Sequence, residues 1–179
     1  MQRHFSNTNL IILLGYMGSG KSTIGKALAA TLDFSFVDLD HFLEQKHQCT
    51  VPELFKNKGV KAFREAEHLA LKEVLKRTTP TVLSLGGGTP CYHDNMRLIK
   101  KTTPHTFYLD ASPKSLADRL FPQRFDRPLI AHLNTEKELK LFIAKHLFER
   151  QSFYLQASHK LDVSSLSVAH LLEQLKKLL

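Results

Sequence analysis

The segment Gly15-Tyr-Met-Gly-Ser-Gly-Lys21-Ser22 sets two glycines, a lysine and a hydroxyl at the spacing G-x-x-x-x-G-K-[ST], a combination that cradles the phosphates of a nucleotide. The glycines let the chain turn tightly enough for successive N–H groups to point inward at phosphate oxygens. The start of a following helix adds its partial positive charge. Lys21 can reach the outer phosphates as a point charge, and the Ser22 hydroxyl suits a magnesium ion bridging two of them.

Four further groups carry polar chemistry. Asp38 and Asp40 close the run Phe34-Ser-Phe-Val-Asp38-Leu-Asp40, and carboxylates at the carboxyl end of a strand face the ligand crevice of an open α/β sheet. One could hold magnesium through water while the other takes a proton from an attacking hydroxyl; equally, either could only cap the helix that begins near His41. Arg64 and Glu67 lie three apart on one helix face. They make either an exposed ion pair of little energetic weight or a guanidinium fork held by Glu67 and aimed at a substrate carboxylate. Gly86-Gly87-Gly88 follows an apolar run directly; such a costly stretch of glycine fits a loop whose backbone closely approaches something, such as a substrate, or a tight strand-to-helix connection. Arg119, Arg124 and Arg127 lie in or beside a stretch without period, where a lid would exclude water and bring charge to a transferred phosphoryl group.

The elements that must position these residues alternate between strand and helix patterns, which predicts a parallel sheet covered by helices. Strands are expected at Leu10–Leu14, Phe34–Asp38, Thr81–Leu85, Thr106–Asp110 and Lys160–Val163. Helices are expected after Lys21, over His41–His47, Val51–Lys58, Val60–Arg77 and Asp94–Lys101, from Ser112-Pro113, over Thr135–Gln151 as a long amphipathic helix, and over Val168–Leu179. Ser112 followed by Pro113 reads as an N-cap with proline in the first turn. Residues Phe121–Asn134 read as a mobile flap and not as a core element.

At 179 residues, with 42% hydrophobic and 23% charged content, the chain is expected to form one domain spanning 1–179 with a full core. No apolar run approaches the ~20 residues of a membrane span, and residues 1–9 lack the apolar centre of a signal peptide; a cytoplasmic location is expected. Cys49 and Cys91 have no zinc-like spacing and are expected to be reduced and partly buried. The ten histidines form no metal motif and read as surface residues. The net charge of +8 fits an anionic small ligand better than a nucleic acid, because it contains neither a long basic block nor basic residues interleaved with aromatics.

The ordered set of Gly-Tyr-Met-Gly-Ser-Gly-Lys-Ser-Thr at 15–23, Asp38-Leu-Asp40, Phe63-Arg64 with Glu67, Leu85 to Gly88, Arg127-Pro128-Leu129 and Arg150 with Tyr154 resembles shikimate kinase, a small member of the nucleoside-monophosphate-kinase-like P-loop group. The resemblance implies a three-layer α/β/α kinase with a central five-stranded parallel sheet, a lid near 121–134 and a substrate-binding helical region near 40–77. It implies transfer of the ATP γ-phosphoryl group to the 3-hydroxyl of shikimate, with Mg2+, by a monomer. On that basis Gly18, Ser19, Gly20, Lys21, Ser22 and Thr23 hold the nucleotide, Ser22 and Asp38 the metal, and Asp40 binds substrate hydroxyls and acts as base. Arg64 and Arg150 hold the carboxylate, Gly86, Gly87 and Gly88 complete the pocket, Arg127 contacts phosphates from the lid, and Arg119 lies near adenine. Two departures stand out. The stretch Arg119 to Arg127 is about one residue long for the family, leaving Arg119 and Arg124 in competition for adenine; and Gln151-Ser-Phe-Tyr-Leu-Gln-Ala lacks the usual proline and glutamate around the tyrosine. A gluconate kinase, with its acidic polyol acceptor, and a catalytically silent nucleotide- or RNA-binding protein remain the rival readings.

Overall fold

The computed structural model describes residues 9–165 and 167–179. Five strands, β1 (Leu10–Leu14), β2 (Ser35–Asp38), β3 (Thr81–Ser84), β4 (Thr106–Asp110) and β5 (His159–Asp162), form one parallel sheet in the order β2-β3-β1-β4-β5. Among the described residues, seven α-helices connect and cover it: α1 (Lys21–Leu32), α2 (Leu39–His47), α3 (Val51–Val74), α4 (Asn95–Thr102), α5 (Pro113–Leu120), α6 (Glu136–Tyr154) and α7 (Val168–Leu178).

The wholly apolar β1 is central and buried on both faces, as its composition requires. Its side chains alternate between two cores. Ile11 and Leu13 pack with Leu28, Leu116, Ile143 and Leu171, while Leu10, Ile12 and Leu14 pack with Leu43, Phe63, Leu71 and Ile99 on the opposite face. The register Leu13↔Ser84 and Asp38↔Ser84 aligns the carboxyl ends of β1, β2 and β3. With β3 on one side of β1 and β4 on the other, the chain reverses its direction of winding there, which is where open α/β sheets bind ligands.

Local chemistry sets the helix boundaries. Thr50 and Thr135 each make a reciprocal capping box, with Glu53 and Glu138, and Ser112 accepts from the Ser115 N–H ahead of Pro113. The break expected between residues 58 and 60 is a kink inside one continuous α3, at Gly59 with φ 75°. Strand edges fall within a residue of expectation, and α6 runs one turn further, to Tyr154. Two expectations are corrected. α6 is not simply amphipathic, because Leu141 and Phe148 face solvent, Phe148 being 83% exposed. The stretch 121–134 contributes to the core: after a 3-10 turn at Phe121–Asp126, Ile130 is fully buried in the cluster that holds Leu120, Leu139 and Ile143.

The Ile130 side chain is the apolar anchor of that stretch. Ile130→Ala is expected to lower unfolding stability by about 2–4 kcal/mol and to speed proteolytic cleavage within 121–134. Urea melts and limited proteolysis read the two effects, and an unchanged melt would mean that the stretch is not anchored through this residue.

Candidate active site

β1 runs straight into the phosphate loop. Gly18 and Gly20 adopt φ 78° and 93°, left-handed backbone that L side chains rarely take, and Gly20 is the N-cap of α1. The loop thus delivers its N–H groups and the α1 N-terminus to one point. Ser19 Oγ is buried inside it and has no hydrogen-bond partner among the described residues. Lys21 is only 8% exposed. Its Nζ donates to the Gly15 and Tyr16 carbonyls, both at 2.9 Å, which leaves its third proton for a further acceptor. Burial brings the ammonium down to about 8, against the opposing pull of Asp40 and Asp38.

At the end of β2 the two readings of Asp38 turn out to be compatible. Its Oδ1 caps α2 by accepting from the Asp40 and His41 N–H groups, while its Oδ2 accepts from Ser22 Oγ at 2.7 Å. Asp40 sits in the first turn of α2 and is turned inward. Burial pushes its carboxyl up to about 6, and the charges of Asp38 and Glu67 push the same way, with Lys21 opposing.

The Arg64–Glu67 pair is not an exposed ion pair. Glu67 is 1% exposed, and both its oxygens are occupied: Oε2 accepts from Arg64 Nη1 at 2.7 Å and Oε1 from Thr89 Oγ1 at 2.6 Å. The guanidinium lies 4.0 Å from the Tyr92 ring centroid, and its buried Nε has no acceptor among the described residues. Such an orphaned donor marks a place where an acceptor belongs.

The glycine triplet has a sharper explanation than its composition offered. A Cβ at Gly86 would stand 2.7 Å from Asp40 Oδ1, and one at Gly88 would stand 2.6 Å from Arg64 Nη2. Gly87 has ordinary space around it, and its carbonyl accepts from Tyr154 Oη at 2.5 Å. The loop therefore closes on the two side chains that hold opposite charges, quite apart from any substrate.

A cavity of about 530 Å³ opens at this edge of the sheet and is lined by the phosphate loop through Thr23 together with Asp38, Asp40, Gly87, Arg119 and Arg127. Its volume is that of a cofactor-sized site. Arg119 is tied to the backbone, donating to the carbonyls of Val163 at 2.5 Å and Gly18 at 3.2 Å. Arg124 points elsewhere: it donates to the Phe121 carbonyl and lies against the Phe121 and Phe125 rings. Arg64, Gly86, Gly88 and Arg150 do not line this cavity; Arg64, Gly86 and Gly88 border its Asp40–Gly87 end, and Arg150 lies 5.6 Å from the Tyr16 ring centroid.

Thr89, Tyr92, Tyr16 and His146 were not singled out as site residues from sequence. Thr89 follows the glycine triplet directly, so its place in the chain was a usable signal; Tyr92 and His146 come from tertiary packing. The expectation of surface histidines fails for His68 and His146, both half-buried and hydrogen-bonded.

A family model for shikimate kinase matches residues 17–179. The shikimate kinase of Flavobacterium johnsoniae is 41% identical over 158 residues, 88% of this chain and 91% of that protein. That of Bacteroides fragilis is 41% identical over 174 residues, 94% and 95% of the two chains. Among solved structures, shikimate kinase from Bacteroides thetaiotaomicron superposes with a TM-score of 0.88 at 37% identity, covering 94% of this chain and 97% of that one. The Acinetobacter baumannii enzyme, solved in complex with shikimate, gives 0.85 at 29% identity, covering 97% and 94%. With the phosphate loop, the Asp38–Asp40 pair and the Arg64–glycine contact in one α/β/α kinase fold, the chain belongs to the shikimate kinase family.

Proposed function

We propose that this chain transfers the γ-phosphoryl group of ATP to the 3-hydroxyl of shikimate, releasing shikimate 3-phosphate and ADP on the route to chorismate and the aromatic amino acids. The observation that carries it is one cavity edge where a phosphate cradle meets an inward carboxyl, Asp40, beside an arginine, Arg64, whose buried Nε has no acceptor among the described residues. An anion bearing hydroxyls matches that set: hydroxyls for Asp40, a carboxylate for Arg64 and Arg150.

Ser22 and Asp38, a hydroxyl and a carboxylate already in contact at 2.7 Å, fit a hard cation that keeps most of its waters and takes phosphate oxygens. When bound there, magnesium supplies positive charge to the β- and γ-phosphates. The protein's own residues do the rest. The loop N–H groups, Lys21 and Arg127 hold the phosphates and match the negative charge that spreads over the transferred group. Asp40 accepts the proton of the 3-hydroxyl as its oxygen bonds to phosphorus and the bond to ADP breaks. Arg64 and Arg150 fix the acceptor in line, while Arg119 borders the nucleotide base. Residues 121–134 act as the lid, and the helical region 40–77 as the acceptor side, of a single domain over 1–179. We place this enzyme in the cytoplasm as a monomer with no nucleic-acid partner; no described helix is long and apolar enough to cross a membrane.

The direct test is magnesium-dependent ADP release with shikimate, gluconate or AMP as acceptor. Shikimate alone is expected to stimulate it, and a response to gluconate instead would favour that rival kinase. Lys21→Ala is expected to abolish turnover, whereas Arg64→Ala chiefly raises KM for shikimate. Gly88→Ala should do the same in a folded protein, because the added methyl displaces the end of a flexible arginine and not backbone.

Asp40 yields two predictions of distinct sign. As a base it must be ionised, so kcat/KM for shikimate should fall below about pH 6 with unit slope, and Asp40→Asn should lower kcat by about 100-fold or more. Its folded pKa is raised, so the stability that its proton confers is complete below the unfolded value of 3.8 and is lost as pH rises through about 6. Asp40→Asn should therefore be more stable than the parent at pH 8, by up to about 3 kcal/mol, with the gain vanishing near pH 4. Paired thermal melts at the two pH values check this.

A further inference from the structure

One residue of the phosphate loop touches both halves of the site. The Tyr16 carbonyl accepts from Lys21 Nζ at 2.9 Å and from the Ser19 N–H at 3.2 Å. Its side chain is 1% exposed and points the other way, toward α6. There the hydroxyl is hydrogen-bonded to His146 Nδ1 at 3.2 Å, and the ring lies 5.6 Å below the Arg150 guanidinium. His146, Arg150 and Tyr154 are four residues apart in succession and so share one face of α6. His146 is fixed from behind by the Phe142 ring at 4.2 Å between centroids, and Tyr154 grips the Gly87 carbonyl. Among the described residues, the ion pairs do not include Arg150. A guanidinium without a carboxylate partner is held in place by the surfaces around it, and the face of an aromatic ring is such a surface.

We propose that Tyr16 is a positioning residue that ties the nucleotide-binding loop to the acceptor-binding arginine, its ring serving as the platform for Arg150 and its hydroxyl, through His146, fixing that ring in register with α6. This rests on the reading of Arg150 as an acceptor-carboxylate ligand and adds to it the residue that sets the arginine's position. The phosphate-loop pattern leaves this position free, so the pattern does not account for a buried aromatic there. The chemistry around the ring is self-consistent: burial pushes the phenol up to about 12 and pulls the His146 imidazole down, with Arg150 adding to the latter. The two groups therefore meet as a neutral pair at neutral pH.

The experiment compares Tyr16→Leu, Tyr16→Phe, His146→Leu and the Tyr16→Phe/His146→Leu double variant with the parent, reading KM for shikimate, kcat and the equilibrium affinity for ADP. Tyr16→Leu is expected to raise KM for shikimate about 5- to 20-fold while ADP affinity stays within about twofold. Tyr16→Phe and His146→Leu should each raise it about 2- to 4-fold, and the double variant no further than either, because both remove one hydrogen bond. An unchanged KM for shikimate in a folded Tyr16→Leu protein, or a parallel loss of ADP affinity, would overturn the proposal. Should Tyr16→Leu not fold, additive effects in the other three variants would overturn it instead. The parent assay separates the two levels: absence of shikimate-dependent turnover in the parent protein sinks the functional reading together with the proposal, whereas normal parent turnover with an unmoved Tyr16→Leu KM sinks only the proposal.

Discussion

A lysine ammonium held out of water governs this structure. Lys21 is tolerated at the start of α1 because two loop carbonyls take its protons and two carboxylates stand close by. Asp40 is in turn kept partly ionised by Lys21, against the pull of its own burial and of Asp38 and Glu67. Each charge lowers the cost of burying the other. The geometry around them follows from that dependence. Asp38 must cap α2 and hold Ser22 at once, which requires β2 to end level with β3, as the Asp38↔Ser84 register provides. Gly86 must lack a side chain because Asp40 Oδ1 fills the space where one would go.

The same logic extends outward to the acceptor side. Glu67 is a second buried carboxylate, and it is satisfied by a different route: Arg64 at one oxygen and the Thr89 hydroxyl at the other. Asn95, itself fully buried, holds the Thr89 carbonyl at 2.8 Å and meets His68 at 2.6 Å. The glycine loop is thus pinned from α3 and α4 on one side and from Tyr154 of α6 on the other. The two sides of the cavity edge are built on elements anchored independently, so the fold itself fixes how they face one another.

How much of this was legible depended on how local the signal is. The phosphate loop, the sheet and nearly every helix boundary are written in short-range patterns: glycine spacing, the apolar run of β1, the Thr50–Glu53 and Thr135–Glu138 boxes. Arg64 with Glu67 could be placed on one helix face but not indoors, because burial of Glu67 depends on Thr89, 22 residues away in the chain. Nor does spacing reveal that Ile130 is core. It lies in a stretch with no sustained period, and a single side chain inserted between α5 and α6 leaves no pattern. The dual role of Asp38 was hidden for a related reason: a cap and a partner to Ser22 look like alternatives until the two oxygens are seen to point in different directions.

The stretch between Arg119 and Arg127 shows how fixed ends shape the backbone between them. Its ends are fixed: Arg119 is tied to Gly18 and Val163, and Ile130 is sunk in the core three residues beyond Arg127. Slack between fixed ends must be taken up by the backbone. It is taken up in the 3-10 turn, where Gln123 departs from helical geometry at φ −107° and ψ 15°. Beyond that kink Arg124 folds back on the Phe121 carbonyl and its flanking rings, whereas Arg127 still faces the cavity. Arg119 and Arg127 both reach the cavity, and Arg124 packs against the turn between them. Of these arginines, Arg119 is tethered to the Gly18 and Val163 carbonyls at the cavity, whereas Arg124 is tethered to the Phe121 carbonyl away from it.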